Sequence, residues 1–176
     1  MKFRKDFVTN SSSSSFIAVS NDDCSDKIEH YRAIIDDVTS VGILEDGNGR
    51  FGWDPAKYSD FSSKFNYIVI QAIESKNSNE LQIKLNEMFS SDLGISIDWN
   101  AIKEKVDSSI VYIDHQSALY ENDDLEDFLF GNEGRLRRFL YNDDSCVIMG
   151  NDNRYDYHDS LEDPYMYNND FECYRV

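Results

Sequence analysis

Asp114 and His115 follow the β-rich run Ser109 to Ile113. Asn151, Asp152 and Asn153 follow the apolar run Cys146 to Met149, with Asp156 and His158 close behind. A strand end places consecutive side chains on opposite faces of a fixed backbone, so each run can deliver one group to a pocket. Asn and Asp supply hard oxygen ligands for magnesium or calcium, and histidine moves a proton near neutral pH or binds a transition metal. If the two strands are neighbours, Asp114, His115, Asp152 and His158 share a cleft, and a small metal-dependent hydrolase or nuclease follows as the alternative reading. Against it, Asn, Asp and Gly after a strand are above all turn formers, and the glycine and glutamate spacing of a calcium-binding hand is missing. Gly-x-Ser-x-Gly is absent, no cysteine has a histidine close in sequence, and no Gly-x-x-x-x-Gly-Lys-Ser/Thr loop cradles phosphate. The preferred reading therefore has no catalytic residue, no metal and no cofactor.

Charge points elsewhere. Thirty-four acidic residues stand against seventeen basic ones, a formal charge of −17. Such an excess repels nucleic acid and membrane phosphates and favours basic partners. Carboxylates gather in Glu121, Asp123, Asp124, Glu126 and Asp127. They gather again in the tail from 151 to 176, where Asp152, Asp156, Asp159, Glu162 and Asp163 are interleaved with tyrosines. Acids on short helices and turns can imitate the phosphate array of a duplex, and tyrosines add rigid amphipathic contacts. These residues are the expected contact surface of a noncatalytic, DNA-mimicking factor whose partner is a basic, nucleic-acid-binding host protein. A solvated acidic face is the plainer explanation of the same residues.

The segment Phe7-Val8-Thr9-Asn10, the serines Ser11 to Ser15, and Phe16-Ile17-Ala18-Val19 set a polar homopolymer between two apolar pieces. Linkers are flanked by more linker composition, so this run reads as a held loop or part of a strand. Residues 2 to 19 resemble the Phe-Val-Thr/Ser-Asn-Ser-Ser-Ser-Ser-Ser-Phe opening of otherwise dissimilar, uncharacterised bacterial and phage proteins. The resemblance implies a phage or mobile-element origin and, by that association, an inhibitor of a host defence nuclease of the anti-CRISPR kind. It implies no reaction.

The positioning elements follow from spacing. Phe16 to Ser20 reads as a strand, and Ile28, Tyr31, Ile34, Ile35 and Val38 as an amphipathic helix. Val41 to Leu44 and Phe51 to Trp53 flank Asp46-Gly47-Asn48-Gly49 as a hairpin. Asp54-Pro55 starts a central helix running to about Ser75, with Tyr58, Phe61, Phe65, Ile68, Val69, Ala72 and Ile73 as its stripe. Helices are expected from about Asn79, after Asp98, from Asp123 with Glu126 as an acidic capping box, and around Leu136 to Leu140. Ser109 to Ile113 and Cys146 to Met149 complete a small mixed or antiparallel sheet in one α+β domain over residues 1–176. Cys24, Cys146 and Cys173 suit neither a disulfide framework nor a zinc knuckle, and no stretch approaches a membrane span, so the expected location is the bacterial cytoplasm.

Overall fold

The computed structural model describes residues 13–35, 50–52, 56–107, 112–113, 123–151, 162, 164–166 and 168–175. Strand β1 (Ser13–Ser20) lies between β5 (Cys146–Asn151) and β6 (Phe171–Arg175), and β3 (Ala56–Tyr58) pairs with the far edge of β5. All three pairings are antiparallel, giving the order β3-β5-β1-β6.

Register explains why Phe16 to Val19 lacks polar alternation. Ile17 stands opposite Val147 and Tyr174, on the face that joins the main core with Val19 and Met149. Phe16 stands opposite Ile148, and Ala18 opposite Cys146, on the reverse face, where Tyr165 and Phe171 close a second, smaller core. A strand buried on both faces reads as a continuous apolar run. The last three serines of the run belong to the same strand, since Ser13, Ser14 and Ser15 pair with Asn151, Gly150 and Met149, and Ser15 is buried; Ser11 and Ser12 lie outside the described residues.

Helix α2 (Phe61–Glu74) is the central helix, with Phe61, Phe65, Ile68 and Ala72 buried as the stripe requires. It starts later than Asp54-Pro55 would place it. Asp60 is the residue whose side chain accepts from the Ser63 N–H at 2.8 Å, while Tyr58 belongs to β3 opposite Val147. Sheet pairing of Ala56 to Tyr58 overrides the earlier cap.

Helix α3 (Ser78–Leu93) stops at Gly94, whose φ of 74° is a left-handed cap that favours glycine. Asp98 accepts the N–H groups of Asn100 and Ala101 at 3.1 Å and so starts α4 (Trp99–Asp107). The short strand β4 (Tyr112–Ile113) pairs in parallel with β2 (Arg50–Phe51), outside the four-stranded sheet. Phe51 thus has a parallel partner in Ile113. The expected hairpin strand Val41 to Leu44 and its turn lie outside the described residues.

Helix α1 (Ser25–Ile34) packs on α3, and α5 (Asp123–Phe130) packs on α6 (Glu133–Tyr141), whose cap Asn132 accepts the Arg135 N–H at 2.9 Å. The Glu126 carboxylate accepts from Ser75 Oγ at 2.6 Å and Asn77 Nδ2 at 2.7 Å, joining α5 to the α2–α3 junction. The described elements share one main core and form a compact α+β unit.

Candidate functional site

The fold sorts its charges. Helix C-termini leave carbonyls without amide partners, and cations suit them. Here the basic side chains come from other elements. Arg32 of α1 donates to Asp92 O at 2.6 Å and Ser91 O at 3.3 Å at the end of α3. Lys84 donates to Phe130 O and Arg135 Nη1 to Phe128 O, at the end of α5. Lys64 of α2 donates to Asn142 O at 2.6 Å, just past α6, and to Ser145 O at 3.3 Å.

The arginines of α6 are also committed. Arg135 and Arg138 both pair with Glu172 of β6, and Arg137 donates to Asp92 at 2.7 Å and to Glu133 at 2.8 Å. Arg175 pairs with Glu162, which is fully buried.

Seven exposed aspartates lie on the connections at one end of the sheet. Because β1 runs against both neighbours, its exit lies beside the entrances of β5 and β6, and the exit of β3 joins them. The connections there carry Asp22, Asp23 and Asp26 after β1, Asp60 after β3, Asp143 and Asp144 before β5, and Asp170 before β6, all exposed. Lys27 forms a surface pair with Asp143. Beneath them sits Lys64, fully enclosed. Burial pushes its ammonium down to about 8, against the opposing pull of Asp143, Asp60 and Asp144.

Of the acids expected to form the contact surface, Asp124 and Asp127 are exposed on α5, which begins at Asp123. Two are corrected. Glu126 is half-buried and bonded to Ser75 and Asn77, and Glu162 is enclosed against Arg175, so both serve the fold and neither belongs to an open acidic face. Glu121, Asp152, Asp156, Asp159 and Asp163 lie outside the described residues.

Asp114, His115 and His158 lie outside them as well. The strands leading to Asp114 and Asp152 are not paired neighbours, because β4 belongs to the two-stranded sheet and β5 to the four-stranded one. Among the described residues no group of His, Cys, Asp and Glu could hold a metal ion.

Burial is the first cause raising Cys24, Cys146 and Cys173 above the ordinary thiol range. Cys146 and Cys173 stand opposite Ala18 on either side of β1, two strand spacings or about 10 Å apart, too far for a disulfide. Lys57 donates to the Tyr165 hydroxyl above Cys146. This contact is a hydrogen bond at the hydroxyl end of the ring, since Nζ is 5.1 Å from the ring centre.

Sequence reasoning passed over two groups. Lys64 falls three residues after Phe61 and one before Phe65, on the buried side of the stripe, and that spacing was its signal. Glu74, at the end of α2, is pushed up to about 7 by burial alone, and its Oε2 has no hydrogen-bond partner among the described residues. Nothing local distinguishes it from a solvated helix-end glutamate.

No family model matches the chain, and neither a curated protein nor a solved structure does. Among the described residues no helix is long and apolar enough to cross a membrane.

Proposed function

We propose that this chain is a noncatalytic acidic binding factor of phage or mobile-element origin, acting in the bacterial cytoplasm on a basic, nucleic-acid-binding host protein. The observation that carries this reading is the sorting of charge. Arg32, Lys64 and Lys84 bind carbonyls at helix ends and Arg135, Arg137, Arg138 and Arg175 pair with carboxylates, while Asp22, Asp23, Asp60, Asp143, Asp144 and Asp170 stand exposed at the sheet end. Turn hydrogen bonds place two of these acids: the Asn142 side chain accepts the Asp144 N–H at 2.9 Å, and the Asn168 side chain accepts the Asp170 N–H at 3.0 Å. An array of fixed negative charge offers a cationic channel what a nucleic-acid backbone offers it. The DNA-mimic and anti-CRISPR-like role is the specific form of this proposal, and Asp124 and Asp127 of α5 extend the surface.

A pull-down from a bacterial lysate, repeated at low and high salt, identifies the partner. Displacement of duplex DNA from that partner then tests the mimicry. Asp22→Asn, Asp143→Asn, Asp144→Asn and Asp170→Asn together should weaken displacement at least tenfold and flatten its salt dependence, because exposed charge acts largely through long-range attraction. Unchanged displacement in that variant, with loss in His115→Ala or on chelation, would falsify the binding reading in favour of the Asp114, His115, Asp152 and His158 alternative.

A further inference from the structure

Lys64 has no water contact, yet its surroundings are anionic. The cap of its own helix contributes Asp60, the turn between α6 and β5 contributes Asp143 and Asp144, and the Cys146 thiol of β5 also faces it. Lys57 of β3 acts on that same thiol, and Lys27 of α1 pairs with Asp143. An ammonium has three N–H donors and an amine two. The two carbonyl bonds to Asn142 and Ser145 can therefore survive deprotonation. What the proton removes on leaving is charge alone.

We propose that Lys64 is a proton-releasing counter-ion of the aspartate-rich sheet end: a cationic partner settling over Asp60, Asp143 and Asp144 displaces the Lys64 proton and takes over its role. This inference rests on the docking reading above. Two cations sharing one set of carboxylates repel each other, so the partner lowers the proton affinity of Lys64. By reciprocity, the neutral amine leaves the sheet end more anionic and binds the partner more tightly. Affinity rises with pH through the range in which Lys64 titrates, which burial brings down to about 8.

An acetylated, amidated nona-arginine peptide is the probe, because arginine stays charged throughout. Calorimetry between about pH 7 and 9.5, in buffers of different ionisation enthalpy, counts the protons released. The intact protein should release a fraction of a proton near the Lys64 midpoint. Its affinity should climb about three- to tenfold, tenfold being one unit of coupling. Lys64→Met should show neither effect, and equal release in both proteins overturns the proposal.

Should Lys64→Met fail to fold, carbon NMR of the Lys64 Cε in the intact protein reads the same coupling. Its midpoint should fall when the peptide saturates the protein, and an unmoved midpoint overturns the proposal. Without peptide, Asp143→Asn should already lower that midpoint. Peptide that binds without moving it sinks the Lys64 role and leaves docking intact. Peptide that does not bind even at low salt, while Asp143→Asn still moves the midpoint, sinks docking and the release step with it.

Discussion

Arg137 of α6 donates through Nε to the Asp92 carboxylate at 2.7 Å, and Asp92 closes α3 with its side chain 8% exposed. The same residue offers its backbone carbonyl to Arg32 of α1, so three helices meet on one aspartate. Removing one partner of such a pair leaves an uncompensated charge. Asp92→Ala should cost about 2 kcal/mol, below the 3–5 kcal/mol of a fully buried pair because Arg137 keeps some water and its bond to Glu133. Urea denaturation measures this directly, and a cost under about 0.5 kcal/mol would place the pair with ordinary surface ion pairs.

Phe65 is fully enclosed and packs 4.8 Å, centre to centre, from Phe89 of α3. Phe65→Ala should destabilise the fold by about 3–5 kcal/mol. The same denaturation series checks it, and a loss below about 1 kcal/mol would contradict the central position of α2.

Lys64 makes stability depend on pH in a fixed direction. Its native value lies near 8, below the ordinary 10.5, so between those values the unfolded chain holds more protons than the native one. Stability therefore rises with pH across that window and falls as pH drops through 8. Lys64→Met should flatten this rise, and thermal midpoints taken at intervals across the window will show whether it does.

Glu74 works in the opposite sense at lower pH. Its native value is raised to about 7 from 4.5, so the native chain holds the extra proton between those values. The associated stability is present below 4.5 and is lost as pH rises through 7. Glu74→Gln should raise the melting temperature above pH 7 and change it little near pH 4. An equal gain at both values would mean that ionisation is irrelevant there.

The α+β class, β1 and the stripe of α2 were legible because spacing and β-branching reflect burial directly. The Asp98 start of α4 was legible because its capping geometry is local. What escaped was set by contacts far along the chain. Asp54 and Asp60 both look like caps, and only the pairing of Tyr58 with Val147 chooses between them. Glu126 and Glu162 look like free surface acids until Ser75 and Arg175 meet them. The aspartates around the sheet end are scattered from Asp22 to Asp170, and only strand order brings them together.

The central place of β1 also sets when the protein can form. Ser20 donates its N–H to Ser145 Oγ, 125 positions away, and the other edge of β1 is completed only by Phe171–Arg175. Contacts between such distant parts of a chain slow folding. During synthesis, this apolar strand must wait for partners made more than a hundred positions later. Over that interval the acidic excess of the chain works against pairing between the open edges of β1 on neighbouring copies.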